Sequence, residues 1–234
     1  MEKGFGHTFK RSLAAALPVM LGYATIGVPC GILASSAGLT GLQAFVLSCT
    51  YYSGAGQFML SNLWLAGTPA LSIAASISFV NTRQLLYATS LAPYLEGASP
   101  LLAGLFSATV TDESYGVNLS RFLDDDGDEP WSVTEGTLTN VLCMLTWGTA
   151  NFVGAVAGEL LSIPVALSSF AMTSIFICLL ASQKLDATNV VVGVTSALGV
   201  AACKLLGLTG PAIFVGALVG LACGVVFSEL GRRA

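Results

Sequence analysis

Charge is what this sequence of 234 residues has least of: Asp, Glu, Lys and Arg make up only 9% of it. Soluble chains carry about 25%, because their surfaces face water. With 54% hydrophobic residues and a mean hydropathy of +0.79, this chain cannot cover a dissolved globule, which excludes a soluble domain. Histidine is nearly absent too. A single His7, near the N-terminus, excludes a Ser–His dyad within a bilayer and zinc sites that need two or three imidazoles. The cysteines, at 30, 49, 143, 178, 203 and 223, lie in apolar runs with no C-x-x-C among them. They read as small packing residues, not as a disulfide framework or metal centre, and no cofactor is indicated.

The scarce charge is also unevenly placed. No Lys, Arg, Asp or Glu lies between Arg11 and Arg83, a stretch long enough for three spans of roughly 20 residues. Shorter charge-free runs follow at 136–158, 160–183, 187–203 and 205–228. The expected fold is therefore all-α: a polytopic integral membrane helical bundle with eight transmembrane spans near 13–37, 42–66, 69–92, 98–120, 136–158, 164–182, 187–204 and 210–229, with seven spans as the alternative. The 26 glycines suit closely packed membrane helices. The basic start precedes an apolar run too long for a signal peptide, so it reads as mature chain. The chain reads as one transmembrane domain, 1–234, with halves 1–120 and 136–234 joined by the acidic loop 121–135. An EF-hand reading of Asp124–Glu129 fails because the glycine falls at the wrong loop position. Lys and Arg set orientation. An eight-span scheme with a cytoplasmic N-terminus puts Lys3, Lys10, Arg11, Arg121, Lys184, Arg232 and Arg233 inside and only Lys204 outside, so both termini are expected in the cytoplasm.

Few residues in the spans carry chemistry. Arg83 in the third span and Asp112 with Glu113 in the fourth are costly at roughly 2.5–3.5 kcal/mol each near a bilayer centre. Arg83 and Asp112 lie at similar depth on antiparallel spans, where an arginine reaches its neighbour; a self-neutralising ion pair and a functional pair both fit. Asp112 and Glu113 are adjacent and point about 100° apart on a helix, poor geometry for an aspartyl protease dyad. In the first span, Gly22, Thr25, Gly27, Pro29 and Gly31 suggest a broken helix whose amides meet a substrate carboxylate; Gly27-x-x-x-Gly31 also reads as a close-packing motif. The second span crowds Ser48, Thr50, Tyr51, Tyr52, Ser53, Gln57 and Asn62 together, as suits a polar cavity or helix-to-helix hydrogen bonds. Gly154/Gly158 and Gly216/Gly220/Gly224 read as packing faces.

Four ordered motifs, Leu17-Pro18-x-x-x-Gly22-Tyr23-x-x-x-Gly27-x-x-x-Gly31, Tyr52-Ser53-Gly54-Ala55-Gly56-Gln57-Phe58, Asn81-Thr82-Arg83-Gln84-Leu85-Leu86-Tyr87 and Thr111-Asp112-Glu113-Ser114-Tyr115, resemble the AzlC family of branched-chain amino acid permeases. The resemblance implies an exporter in the cytoplasmic membrane that works with a small AzlD-type membrane subunit. Thr25, Ser53 and Gln84 depart from the family pattern. The expected function is secondary transport of an aliphatic amino acid by alternating access. Gly22, Thr25, Gly27, Gly31, Gln57, Asn81 and Arg83 would bind substrate, and Asp112 or Glu113 would take its amino group or a coupling proton. The rival is a channel or a non-transporting membrane subunit. No enzymatic activity is expected.

Overall fold

Long apolar runs without charge fold as helices because backbone groups in lipid must pair within their own segment. The computed structural model describes residues 4–124, 129–161, 186–207 and 212–233, with scattered positions between 164 and 181. Among these lie nine α-helices and no strand: α1 (Phe5–Ser36), α2 (Gly41–Thr50), α3 (Gly54–Leu65), α4 (Ala70–Leu91), α5 (Pro100–Thr109), α6 (Asp112–Phe122), α7 (Val133–Leu161), α8 (Ala187–Leu205) and α9 (Ala212–Arg233). Of these, α1, α7 and α8 are long and apolar enough to cross a membrane. The expected span 164–182 and the centre of the acidic loop, 125–128, fall largely outside the described residues. Contacts group the chain into two compact units, Met1–Asn62 with Asn81–Met172, and Leu63–Val80 with Thr173–Ala234.

The first unit is built on α1 and α7, which run parallel. Their starts are locked together. The Arg11 guanidinium donates to Glu135 at 2.8 Å and to Glu129 at 3.2 Å and lies over the Trp131 ring, 5.5 Å from its centroid. The fully buried Glu135 carboxylate also accepts from the Ser132 amide and hydroxyl, both at 2.8 Å, closing a capping box at the start of α7. Further along, the helices touch through glycine. A Cβ on Gly27 would lie 2.6 Å from Ala150 Cβ; one on Gly31 would fall on the Asn151 carbonyl, and one on Gly154 on that of Val28.

This contact corrects the expected break in the first span. Helix α1 is continuous through Pro18 and Pro29. Pro29 removes the donor that would reach the Thr25 carbonyl, at a cost of about 3 kcal/mol, but the close approach to α7 holds both sides of it in helical register. Gly27 and Gly31 serve that approach and not an unwinding.

The breaks lie elsewhere. Segments 42–66 and 98–120, expected as single spans, are each a pair of short helices of 10 to 12 residues. At 1.5 Å per residue each arm is about 15–18 Å long, half of a roughly 30 Å hydrocarbon core. Both pairs fold back on themselves. Gln57 of α3 returns to Ser48 and Leu47 of α2. In the second pair the Phe106 ring meets that of Phe122, centroids 6.3 Å apart, which a straight path through residues 110–111 would hold far beyond reach. The first hairpin runs beside the later half of α7, where Gly41 faces Phe152 and Val156 and Gly148 faces Phe45 and Cys49. The second runs beside its start, where Phe106 and Asn118 both press on Gly136. They therefore enter the unit from opposite ends.

In the second unit, α8 and α9 pack antiparallel. Gly216, Gly220 and Gly224 face Val200, Ser196 and Val192 in turn, so this glycine stripe is filled from within the chain.

Candidate functional site

The tips of the two hairpins, residues 51–53 and 110–111, meet the middle of α1 and α7. Ser53 starts α3 by accepting from the Gly56 amide at 3.2 Å, and Thr111 starts α6 with its amide donating to Ser114 Oγ at 2.9 Å. Asp112 and Glu113 occupy the first turn of α6, where the helix dipole favours negative charge.

Each tip is held by a longer helix, the second tip by α1 and the first by α4. Tyr23 of α1 donates to Glu113 at 2.6 Å, and its hydroxyl lies 2.7 Å from that of Thr111. Asn81 of α4 accepts from Ser53 at 2.7 Å and donates to the Tyr51 hydroxyl at 2.6 Å; Gln84 donates to the Tyr52 carbonyl at 3.2 Å. From the same helix, Arg83 meets Asp112 at 2.7 Å, with both side chains about one third exposed, 35% and 33%. The Arg83 Nε is buried with no hydrogen-bond partner, as is the Tyr52 hydroxyl.

Helix α7 supports both hairpins. Trp147 Nε1 donates to Gln57 Oε1 at 2.9 Å, Ser48 donates to the same oxygen at 3.2 Å, and the Gln57 amide caps the Tyr51 carbonyl at 2.6 Å. Asn140 accepts from Asn118 at 2.9 Å and donates to the Phe106 carbonyl at 3.3 Å, while Trp131 donates to Asn118 at 3.1 Å. The Trp147 ring lies edge-on to Tyr23 at 5.3 Å, and Tyr23 is edge-on to Tyr52 at 6.4 Å.

The structure thus gathers Asn81, Arg83, Asp112 and Glu113 at the tips. Gln57 stands directly behind them, with both ends of its amide engaged. Gly27 and Gly31 are sealed against α7, and their amides are spent inside a continuous helix. Thr25 is exposed, its hydroxyl bonded back to the Leu21 carbonyl at 3.1 Å, and a Cβ on Gly22 would meet nothing within 4 Å. Tyr23, Thr111 and Trp147 were not expected as site residues, and Tyr52 and Ser53 only as members of a polar second span suited to a cavity or to helix-to-helix hydrogen bonds. One signal was available: Thr111 before two acids, and Ser53 before Gly54 and Gly56, have the composition of helix starts. A separate groove of about 500 Å³ on the α1–α7 face, lined by Met20, Val28, Leu145 and Val153 among others, has no charged residue.

Paired half-length helices whose polar tips meet among long apolar helices mark a helical membrane protein with discontinuous helices. A family model described as "AzlC protein" matches residues 18–161, and the chain belongs to the AzlC family. It is 23% identical to the branched-chain amino acid transport protein AzlC of Bacillus subtilis, over 75% of this chain and 67% of that protein. It is 25% identical to the inner membrane protein YgaZ of Escherichia coli, over 93% and 88% of the two chains. An uncharacterized membrane protein of Helicobacter pylori is 28% identical over 79% of each. No solved structure matches the chain.

Proposed function

We propose that the protein is a secondary transporter exporting branched-chain or related aliphatic amino acids across the cytoplasmic membrane. The observation that carries this reading is the meeting of two hairpin tips, entering from opposite ends, around Glu113 and the Arg83–Asp112 pair. Helix α1 with the first hairpin, and α4 with the second, repeat one design in opposite directions. Inverted repeats with broken helices at their interface suit alternating access, because rocking one repeat against the other opens the same site to either side. Arg83, with Nε free, grips the substrate carboxylate. Glu113, with Asp112 beside it, takes the ammonium group or a coupling proton. Asn81 and Gln57 act from behind by holding the first tip, and the apolar lining receives the aliphatic side chain.

The crossings in this reading are α1, α4, α7, α8 and α9, together with the span that hydropathy alone assigns to 164–182, and the two hairpins are re-entrant. Each hairpin returns to the side it entered from, so both termini stay cytoplasmic. The parallel run of α1 and α7 is what this topology requires. A small AzlD-type subunit completes the transporter. Since the glycine faces of α7 and α9 are filled within the chain, support for that subunit rests on the family. Counterflow in proteoliposomes tests the function: labelled leucine should accumulate transiently above equilibrium against an unlabelled internal pool. Entry at only the passive rate would reject a carrier.

A further inference from the structure

The hydroxyl of Tyr52 is an anomaly in a well-paired interior. Tyr52 is 8% exposed, and its hydroxyl has no hydrogen-bond partner, although buried polar groups in folded proteins are nearly always paired. It stands between the two tips. Its residue belongs to the first, and its ring stands edge-on to that of Tyr23, whose hydroxyl carries the contacts to Thr111 and Glu113 at the second. Its backbone is fixed independently, through the Gln84 amide on the Tyr52 carbonyl. The tyrosine is therefore positioned firmly while its buried hydroxyl has no partner.

The surroundings decide what that hydroxyl meets. The Tyr23 proton is engaged by the Glu113 carboxylate, so the groups nearby offer oxygen acceptors: Glu113, Tyr23, Thr111 and Tyr52 itself. Aromatic rings of Tyr23, Tyr52 and Trp147 stand beside them. Acceptors from several directions together with aromatic faces suit a compact cation with three donors, such as an ammonium group. We infer that Tyr52 is a substrate ligand, its hydroxyl accepting a hydrogen bond from the substrate's α-ammonium group beside Glu113. The assignment rests on the amino acid transport proposed above. It makes Tyr52 the residue that separates amino acids from carboxylates of the same carbon skeleton.

Tyr52→Phe tests it, because it removes the hydroxyl, for which the structure shows no partner, and keeps the ring. The protein, purified from its native membrane with any subunit that accompanies it, is reconstituted for leucine counterflow. Competition by 4-methylpentanoate, which is leucine without its amino group, is measured in parallel, as are melting temperatures. The variant should melt no lower than wild type and should need about tenfold more leucine for half-maximal exchange, the loss expected for one hydrogen bond to a charged group. Inhibition by 4-methylpentanoate should not change. Unchanged leucine dependence would overturn the inference while leaving the transport reading intact. A melting temperature lowered by several degrees would also overturn it, by showing the hydroxyl bonded within the protein. Wild-type protein that moves no leucine would remove both.

Discussion

Tyr23 links both hairpin tips to the α1–α7 pair, through Glu113 and Thr111 on one side and the rings of Tyr52 and Trp147 on the other. Nothing in its own sequence context announces this, since a tyrosine among alanine and glycine in an apolar run reads as filler or as part of a family motif. The Arg83–Asp112 pair was legible, because opposite charges at similar depth on facing segments have few other partners. The pair also yields a sharp test. Replacing Arg83 alone strands Asp112; the loss falls below the about 3–5 kcal/mol of a fully buried pair, because both groups keep a third of their exposure. The double change Arg83→Met with Asp112→Asn should restore the melting temperature and still abolish leucine exchange. Exchange at the wild-type rate would reduce the pair to an internal neutralisation. The glycines divide as sharply. Gly31→Ala and Gly154→Ala each drive a methyl into a backbone carbonyl, so each should destabilise the protein by about 1–3 kcal/mol or more. Gly22→Ala meets open space and should be neutral, and equal melting of all three variants would refute the close α1–α7 contact.

Individual helices show which parts of the fold hydropathy reveals. Expected spans 13–37, 69–92, 136–158 and 187–204 agree with α1, α4, α7 and α8 within a few residues apart from the N-terminal extension of α1, because a run of apolar residues in lipid has few options besides a helix. The breaks were largely hidden, since a folded-back pair of half-length helices and a single span have the same length and polarity, and only Ser53 and Thr111 carried a helix-start signal. Proline misled in the other direction: its local cost at Pro29 is smaller than what packing against α7 recovers. At the start of the same pair, Arg11 neutralises a carboxylate with no exposed surface. Arg11→Met should therefore lower the yield of monodisperse protein steeply. Adding Glu135→Gln should recover much of it, since glutamine serves the capping box equally well. A single Arg11→Met variant with wild-type stability would show that the contact does not fasten α1 to α7.

For the whole molecule, the re-entrant reading reverses the sidedness of two loops relative to a scheme of eight spans. The proposed topology would put Thr68 outside and Ala98 in the cytoplasm; eight full crossings would exchange them. In a cysteine-free background in intact cells, an impermeant thiol reagent should label Thr68→Cys and spare Ala98→Cys, and the opposite pattern would restore the eight-span scheme. The central claim, that an amino acid is carried where the two tips meet, is tested most directly by a structure of the protein with leucine bound. Leucine should lie between residues 51–53 and 110–111, with its ammonium group beside Glu113 and Tyr52 and its carboxylate facing Arg83. Leucine found instead in the apolar groove of Met20, Val28, Leu145 and Val153, with the tips unoccupied, would contradict the account.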